Sequence, residues 1–464
     1  MLIFSIKNLN NDAPQSPPPH GGIATLPTKG IVMNHSQTLT QWLAHLETAH
    51  TGGLIDMGLE RISRVKEIMN LRPTCPVIAV AGTNGKGSVC AFLSKIYREA
   101  GYKTGTLTSP HLLRFNERIA LNCRPVSDRA IVESFERIEA ARGDTSLTYF
   151  EFNTLAAVDI FMREQVDVMI LEVGLGGRLD AVNAFDADCA VITAVDIDHQ
   201  AYLGDNIEDI AFEKAGIFRK GKPAVCGHTP PPARLREHAR ATGAPLLLAK
   251  QDFDHSVLDS LQWSFRFAPL SGSFAPRKRH ALPTPALRGS CQIRNAACAL
   301  AAIECLNDRL PVDIGAIKRG LLTAENPARF QVLPGRPLTV LDVAHNPHAA
   351  RALRQNLLAL PFAAKRTAVF SILADKDIDG VIEAVKDQFD QWYTAPLNVP
   401  RALPLPDLNA KLAEHGVICN TSFPDIAAAC RAALSDAAEN DRIVVFGSFH
   451  TVAEAAAVCC PPAR

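Results

Sequence analysis

A glycine-rich segment of the chain carries a lysine and a serine at a spacing that could bind phosphate. Residues 82–88 read Gly-Thr-Asn-Gly-Lys-Gly-Ser, and they follow an apolar run at 77–80 that is typical of a buried parallel strand. A helical pattern comes next, so backbone N–H groups of the loop and a helix N-terminus could surround phosphate. Lys86 would then reach the terminal phosphates, and the hydroxyl of Ser88 would ligate Mg²⁺.

This segment departs from the strict phosphate-loop pattern G-x-x-x-x-G-K-[ST]. Val80 occupies the place of the first glycine, and Gly87 separates Lys86 from Ser88. A plain glycine turn before a core helix is the structural alternative. Glycine, lysine and serine together in a strand–loop–helix context nevertheless favour phosphate, and they predict a variant phosphate loop.

Two further polar clusters follow predicted strands. Glu172 ends the apolar run before the glycine-rich residues 174–177, and an acid beside a phosphate loop is where P-loop proteins hold Mg²⁺. The glycines would let a ligand approach closely, which favours a metal ligand over a solvated acid. Asp198 and His199 follow another strand, where a second metal ligand and a structural histidine are equally compatible with the sequence.

The C-terminal part of the chain has a comparable cluster. Asp342, His345 and Asn346 follow a predicted strand, and there a carboxylate could bind ribose hydroxyls while a histidine pairs with phosphate or base. Lys214, by contrast, reads as a surface lysine when taken alone. The sequence therefore predicts one ligand cleft, because the carboxyl ends of parallel strands bind ligands in such folds.

The elements that must position these residues alternate between strand and helix, which is typical of mainly parallel sheets. We predict a P-loop, doubly wound α/β domain at 35–325 and a smaller Rossmann-like α/β domain at 326–464, after an extension at 1–34 that is disordered or non-native. Strands are predicted at 77–80, 103–108, 168–173, 190–194, 223–226, 338–343, 367–372, 392–395 and 443–446. Helices are predicted from 39, from 89, and at 131–141, 151–162, 207–218, 293–306, 314–322, around 352–357, 378–389 and 426–434, with hairpin strands near Trp263.

Composition excludes several classes of protein. The 464 residues carry 48 basic and 48 acidic side chains, so nothing favours nucleic acid or an anionic membrane as a partner. No apolar run approaches the ~18 residues that a membrane span requires. The 12 cysteines include no C-x-x-C pair, which favours reduced thiols and a cytoplasmic protein. We expect a monomer.

Several motifs together resemble the Mur ligase superfamily and, within it, the folylpolyglutamate synthases, including the bacterial enzymes that also act as dihydrofolate synthases. The similarity extends from about Ser36 to about Glu454 and accounts for the irregular phosphate loop. The superfamily-level motifs lie at 82–88, 172–180 and 213–219, and those typical of folylpolyglutamate synthases at 56–61, 109–112, 147–151 and 342–347.

The resemblance implies ATP-dependent ligation of L-glutamate to 7,8-dihydropteroate and to the γ-carboxylate of (tetrahydro)folates, through an acyl phosphate. It implies two Mg²⁺ ions, ATP as co-substrate and K⁺ as a further candidate ion. It also places Lys214 where this family often has a carbamylated lysine, an anion suited to a two-metal site. An unmodified Lys214 in a salt bridge is the alternative.

The resemblance assigns roles to individual residues. The catalytic set is Lys86, His199 and Lys214; the ATP-binding set is Thr83, Asn84, Gly85, Lys86, Gly87, Ser88, Asn295, Arg329, Asp342 and His345. The metal ligands are Ser88, Ser109, Glu172 and His199. The pterin contacts are Ile55, Asp56, Met57, Thr148, Tyr149, Phe150, Glu151, Leu179, Asp180 and Ala181.

Three alternatives remain. The protein could be a folylpolyglutamate synthase without the dihydrofolate synthase activity, or a nucleotide-binding module without catalysis. It could also be a Mur-type ligase acting on a UDP-muramyl precursor. Such ligases carry a UDP-binding domain ahead of the phosphate loop, and the roughly 50 residues between Met33 and Gly82 are few for a domain of ~100 or more.

Overall fold

The computed structural model describes residues 37–50, 56–270, 272, 274–417 and 420–460. The predicted extension at 1–34 and the predicted pterin contact Ile55 lie outside these ranges. Two parallel-rich sheets dominate the described chain. We call residues 38–323 the large-sheet region and residues 328–460 the small-sheet region.

The large-sheet region is built on eight strands in the order β4-β3-β2-β5-β1-β6-β7-β8. The strands β2, β5, β1, β6, β7 and β8 are parallel, and β3 and β4 form an antiparallel edge. The central strands β1 and β5 are buried at every residue, as expected for apolar runs covered on both faces. The strand bounds are β1 Val77–Ala81, β2 Thr104–Leu107, β3 Ile119–Leu121, β4 Arg124–Pro125, β5 Val168–Glu172, β6 Cys189–Ile192, β7 Ala224–Cys226 and β8 Leu246–Leu248.

Ten helices accompany this sheet. They are α1 Leu39–Ala49, α2 Glu60–Ile68, α3 Lys86–Glu99, α4 Asp128–Arg142, α5 Tyr149–Arg163, α6 Gln200–Leu203, α7 Ile207–Ala215, α8 Ala233–Thr242, α9 Gln292–Cys305 and α10 Ile314–Thr323, with short 3₁₀ turns at Phe115–Arg118 and Ala181–Ala184. The apolar stripe of α3, with Phe92, Leu93 and Ile96 fully buried, packs in one core with α9 and α10. That core fixes the direction in which the N-terminus of α3 points.

Along the chain, a separate antiparallel sheet comes between α8 and α9. Its strands are β9 Phe253–Val257, β10 Gln262–Phe267 and β11 Arg277–Pro283, in the order β11-β10-β9. Trp263, Phe265 and Phe267 alternate inward from β10 into the same core as α3. The hairpin predicted around Trp263 is therefore present.

The small-sheet region has six strands in the order β12-β13-β17-β14-β15-β16, of which only β12 is antiparallel. Its strands are β12 Gln331–Leu333, β13 Leu338–Leu341, β14 Arg366–Phe370, β15 Gln391–Thr394, β16 Asn420–Ser422 and β17 Arg442–Phe446. Its helices are α11 Pro347–Leu358, α12 Ile378–Val385, α13 Leu405–Glu414, α14 Ile426–Asp436 and α15 Phe449–Cys459, with a 3₁₀ turn at Lys386–Gln388. Two apolar cores cover this sheet.

The fold confirms the predicted class, a mainly parallel sheet followed by a smaller Rossmann-like unit. Sequence reasoning missed α2, α6, α8, α13, α15, β3 and the edge strands, because these elements are short or lack a wide apolar stripe. In α8, for example, only Leu235 and Ala239 are buried. The predicted boundary at 325–326 stays a prediction.

Two expectations from composition can be compared with the described residues. No helix there is long and apolar enough to cross a membrane. Eleven cysteines fall within the described ranges, and each of them is a free thiol.

Candidate functional site

The glycine-rich loop joins β1 to α3 in a conformation that requires glycine. Gly82 has φ 149° and Gly85 has φ 90°, both in the region that side chains disfavour. A Cβ at Gly82 would collide with Thr193 Oγ1, and one at Gly85 would lie 2.7 Å from Asn295 Oδ1. The loop is therefore shaped by close approach of its neighbours as well as by its own turn.

Lys86 and Ser88 lie in the first turn of α3, because the helix begins at Lys86 and not at Val89 as predicted. Lys86 Nζ donates to the carbonyl oxygen of Gly82 at 3.0 Å, so the side chain folds back over the loop. Ser88 is buried, and its Oγ accepts from Asn326 Nδ2 at 3.4 Å. Within the described part of the chain no side chain caps this helix at Gly85, which leaves its N–H groups to an anion.

Glu172 is the last residue of β5 and pairs in register with Val80 of β1, so it lies beside the loop. Its carboxylate is buried and accepts a hydrogen bond from the backbone N–H of Ser109 at 3.3 Å. Burial raises the pKa of Glu172, although Lys86 and Arg329 oppose that shift. No ion pair joins Glu172 to a cation in the part of the chain that the structure describes, so it remains available to a bound cation.

The segment after β6 is bonded to the glycine-rich loop. The backbone N–H of Thr83 donates to the carbonyl oxygen of Ala194 at 2.7 Å, and Thr83 Oγ1 donates to that of Asp196 at 2.9 Å. The N–H of Asp196 in turn donates to Thr83 Oγ1 at 2.9 Å. The segment that leads to His199 is thus fixed to the candidate phosphate site.

His199 follows Asp198, whose carboxylate is held by residues of the small-sheet region. Lys376 Nζ donates to Asp198 Oδ1 at 2.8 Å, and Asn346 Nδ2 donates to Asp198 Oδ2 at 2.9 Å. Burial alone would raise the pKa of Asp198, but the adjacent Lys376, His199 and His345 hold that pKa well below its usual range. The carboxylate is therefore an anion that links the two regions.

The imidazole of His199 is neutral near pH 7. Burial lowers its pKa to about 4, and the ammonium groups of Lys376, Lys86 and Lys214 reinforce this against the opposing charge of Asp198. Its Nε2 lies 3.4 Å from Lys376 Nζ. A neutral imidazole is the form that can ligate a metal.

Lys214 lies in the last turn of α7 and is only 3% exposed, so the structure does not place it on the surface. Burial lowers its pKa to about 7, with a further contribution from Lys86. Among the described residues no hydrogen bond or ion pair satisfies its amine, and the salt-bridge alternative is therefore not observed. A buried amine with such a pKa is partly neutral at physiological pH.

The predicted contacts from the small-sheet region face the same loop. Asp342 follows β13 and accepts from the backbone N–H groups of Phe330 and Ala344, each at 2.8 Å, while burial raises its pKa to about 6. The Arg329 guanidinium lies 4.8 Å from the ring centre of Phe449, and burial lowers its pKa. Burial likewise lowers the pKa of His345 to about 4.

One cavity of about 510 Å³ brings these side chains together between the two regions. All residues predicted for catalysis, ATP or metal line it: Thr83, Asn84, Gly85, Lys86, Gly87, Ser88, Ser109, Glu172, His199, Lys214, Asn295, Arg329, Asp342 and His345. Glycines 174 and 176 lie on its wall. The sequence therefore identified one coherent site, although the role of each residue stays a prediction.

Those predicted pterin contacts that fall within the described residues lie outside the cavity wall, and the nearest of them pack against its glycines. A Cβ at Gly174 would lie 2.8 Å from Phe150 Cζ and 3.3 Å from Asp180 Oδ2, and one at Gly176 would lie 3.6 Å from Met57 Cε. Asp180 accepts from the backbone N–H groups of Leu175 and Val182 at 2.9 and 3.0 Å, and burial raises its pKa to about 6. The Asp180 carboxylate therefore holds the backbone at Leu175 and Val182 through hydrogen bonds.

Other predicted pterin contacts belong to a network beside α5. Thr148 caps α5 in a capping box with Glu151, which also pairs with Arg61 at 3.3 Å. Arg61 in turn pairs with Asp56 at 2.8 Å. Tyr149 packs 5.4 Å below the Arg118 guanidinium. Of the remaining two, Ala181 is buried and Leu179 partly buried.

Sequence reasoning assigned no role to five arginine and lysine residues on the cavity wall, Arg118, Arg288, Arg294, Lys376 and Arg401. Lys376 follows β14 in the run Ala-Asp-Lys-Asp, a polar cluster after a strand like the one at Glu172. The role of Lys376 as a cavity residue could therefore have been predicted from the sequence. Arg118 lies on a 3₁₀ turn, and Arg401 lies in an irregular segment, where no pattern indicates the side chain's direction.

Two family models match most of the chain. The Mur ligase middle domain matches residues 80–303, and the glutamate ligase domain of Mur ligases matches residues 328–449. A dihydrofolate synthase/folylpolyglutamate synthase from Escherichia coli is 43% identical over 416 residues, which cover 89% of this chain and 94% of that protein.

Solved structures give the same comparison. Escherichia coli FolC in complex with DHPP and ADP aligns with a TM-score of 0.85 and 42% identity, covering 91% of this chain and 98% of that one. A bifunctional folylpolyglutamate synthase/dihydrofolate synthase with Mn, AMPPNP and L-glutamate bound aligns with a TM-score of 0.82 and 40% identity, over 91% and 98% of the two chains.

Proposed function

The chain belongs to the dihydrofolate synthase/folylpolyglutamate synthase family of Mur ligases, and on that premise we propose that it is an ATP-dependent glutamate ligase. Its acceptors are 7,8-dihydropteroate and the γ-carboxylate of (tetrahydro)folates. The observation that carries this function is the single cavity in which the phosphate loop, Glu172 and the cations of both regions converge. The relatives with DHPP, ADP, AMPPNP and glutamate bound support the same substrates.

The reaction needs no protein nucleophile. A carboxylate oxygen of the acceptor attacks the γ-phosphorus of ATP, ADP leaves, and an acyl phosphate forms. The amine nitrogen of glutamate then attacks the acyl carbon, loses a proton, and displaces inorganic phosphate to give the amide. The protein supplies orientation and charge, with Lys86 and Arg329 facing the phosphates, and the two regions exclude water from the acyl phosphate.

The residues around Glu172 fit Mg²⁺. Glu172 is a buried carboxylate without an ion-pair partner among the described residues, and Ser88 and Ser109 supply the oxygen donors that Mg²⁺ prefers. The described residues contain no cluster of three His, Cys, Asp or Glu side chains arranged for a metal, which suits an ion that keeps waters and phosphate oxygens. Bound Mg²⁺ would neutralise phosphate charge. His199 would serve a second ion, and K⁺ is a further candidate.

Lys214 is proposed to carry a carbamate. The ammonium form first loses one proton to give the neutral amine, which adds to CO₂ and releases a second proton, so that a buried cation becomes an anion. Burial without a partner favours this reaction, because it lowers the pKa of Lys214 to about 7 and so supplies neutral amine. The anion would balance the charges of Lys86, Lys376 and the metal ions.

The pterin would bind beside Gly174, between Phe150 and Asp180. Phe150 offers a stacking face and Asp180 an acceptor for the amino edge of the pterin. Asp56, Met57, Thr148, Leu179 and Ala181 would shape this pocket. The eleven free cysteines of the described ranges support a reducing, cytoplasmic location, and we propose that the enzyme acts as a monomer.

Purified protein with ATP, Mg²⁺ and glutamate tests the function when each acceptor is supplied separately. Glutamylated product and inorganic phosphate should appear with dihydropteroate and with a tetrahydrofolate. Product with the tetrahydrofolate alone would mean a monofunctional folylpolyglutamate synthase. Phosphate release only with a UDP-muramyl substrate would overturn the folate assignment.

A further inference from the structure

The Asp198 carboxylate makes three hydrogen bonds that connect different parts of the molecule. Its Oδ1 accepts from the backbone N–H of His199 at 2.9 Å and from Lys376 Nζ at 2.8 Å. Its Oδ2 accepts from Asn346 Nδ2 at 2.9 Å. One carboxylate therefore binds the backbone of its neighbour in the large-sheet region and two side chains of the small-sheet region.

His199 has a backbone that needs such support. Its φ of 55° and ψ of 42° lie in the left-handed region, which is unfavourable for a residue other than glycine. Residues in this conformation persist when their surroundings hold them there. The His199 backbone is held on both sides: its carbonyl oxygen accepts from the N–H groups of Tyr202 and Leu203 at 2.9 and 3.1 Å, and its own N–H donates to Asp198 Oδ1. The second of these contacts is the one that Lys376 and Asn346 of the small-sheet region reach through the Asp198 carboxylate.

The supporting groups come from elements that begin at the cavity. Asn346 caps α11, where its Oδ1 accepts from the N–H of Ala349 at 2.9 Å, so the amide has a fixed orientation. Asn84 of the phosphate loop donates to the same Oδ1 at 3.2 Å. Lys376 is only 6% exposed and Asp198 only 10%, so water screens their ion pair little.

From these contacts we infer that Asp198 is a positioning residue, whose carboxylate makes the orientation of His199 depend on contact between the two regions. When Lys376 and Asn346 hold the carboxylate, His199 keeps its left-handed backbone and its imidazole faces the cavity. When the regions separate, the carboxylate loses both partners and His199 relaxes. This inference rests on the proposed function, in which His199 binds the second metal ion.

A general adhesive role between the regions is the competing explanation, and the chain offers a matched control. Arg351 of α11 pairs with Asp196 at 3.2 Å, two residues before Asp198 in the same segment. That pair is 57% and 24% exposed and does not bond to His199. If these ion pairs act only by holding the two regions together, loss of the Arg351–Asp196 pair should weaken metal binding as much as loss of the Lys376–Asp198 pair.

The experiment compares wild type with Lys376→Met, Asp198→Asn and Arg351→Met. Mn²⁺ binding to the protein saturated with a non-hydrolysable ATP analogue is measured by electron paramagnetic resonance, and kcat and the KM for ATP are measured with Mg²⁺. Groups that orient a metal ligand typically change metal affinity or activity by about 10- to 100-fold. For Lys376→Met and Asp198→Asn we expect the Mn²⁺ affinity of the lower-affinity class of sites to fall by about 10-fold. We expect kcat to fall by at least as much, with little change in the KM for ATP.

Arg351→Met should stay within about 2-fold of wild type in both measurements, because exposed ion pairs contribute little. The inference is overturned if Lys376→Met and Asp198→Asn bind Mn²⁺ as wild type does, or if Arg351→Met weakens binding equally. Should one of the first two variants not fold by circular dichroism, the other decides. A wild type that binds Mn²⁺ normally but forms no glutamyl product would refute the proposed function and leave this comparison valid.

Discussion

The two regions bring helices to the cavity in different ways. In the large-sheet region, α3 and α9 begin at the cavity behind Gly85 and Cys291, and neither has a side-chain cap among the residues that the structure describes. In the small-sheet region, Asn346 and Ser448 cap α11 and α15 with hydrogen bonds of 2.9 and 3.0 Å to backbone N–H groups. The difference indicates that the large-sheet region leaves backbone donors for an anion, whereas the small-sheet region satisfies its own.

The buried carboxylates differ in the same sense. Glu172 accepts one backbone hydrogen bond at 3.3 Å, whereas Asp342 accepts two at 2.8 Å. Burial raises the pKa of both groups. A buried carboxylate with few hydrogen bonds is costly unless a cation binds it, and this difference supports our proposal that Glu172 is the metal ligand of the two.

The largest expected effect comes from the lysine of the uncapped helix. Lys86→Ala should abolish product with both acceptors, a loss of at least about 10³-fold in kcat, because both reactions share one phosphate site. Product formation is measured chromatographically with each acceptor. Turnover retained with either acceptor would mean that the two activities do not share this loop.

The second prediction contrasts the two carboxylates. Glu172→Gln should lower kcat by about 10²-fold and yet raise the free energy of unfolding by about 1 kcal/mol, because it removes a buried charge without a partner. Asp342→Asn should lower the free energy of unfolding by about 1–3 kcal/mol, because an amide cannot accept both backbone hydrogen bonds as well. Urea denaturation without ligands measures both. If Glu172→Gln lowered the free energy of unfolding, the proposed difference between the two carboxylates would be wrong.

The third prediction concerns the buried amine of the large-sheet region. Because the pKa of Lys214 falls from 10.5 to about 7, neutral amine, and with it the carbamate, should increase as the pH rises through about 7. With ¹³C-labelled bicarbonate, a carbamate resonance should be stronger at about pH 8 than at about pH 6. The resonance should vanish in Lys214→Met. A signal of equal strength in that variant would exclude Lys214 as its source.

The smallest effect on activity is expected from a cap away from the cavity. Asp425 caps α14, where its Oδ1 accepts from the N–H of Ala428 at 2.6 Å. Asp425→Ala should cost about 0.5–2 kcal/mol of stability and leave kcat unchanged. Thermal unfolding measures the loss of stability, and the ligation assay measures kcat. A large loss of kcat would show that this cap affects catalysis as well as helix stability.

Much of this arrangement was predictable from residue types. Apolar runs that end in glycine or acid located the strand ends, and strand ends in a parallel sheet share one edge, so Ser88, Glu172 and His199 had to converge. Asp342 follows a strand of the second sheet, so its place in the same cavity depends on how the two regions pack. Lys214 was not predictable from its own surroundings, because a lysine on a helix looks exposed until the fold buries it. Contacts between regions, such as Lys376 with Asp198, depend on tertiary distances that no local pattern encodes.

An acyl phosphate is the intermediate that we propose for this cavity, and oxygen transfer tests its formation most directly. Dihydropteroate labelled with ¹⁸O in its carboxylate is incubated with ATP, Mg²⁺ and glutamate, and the inorganic phosphate is analysed by mass spectrometry. The attacking carboxylate oxygen leaves with phosphorus when glutamate displaces it, so we predict that each phosphate released carries one ¹⁸O. Unlabelled phosphate formed together with the glutamyl product would contradict the account.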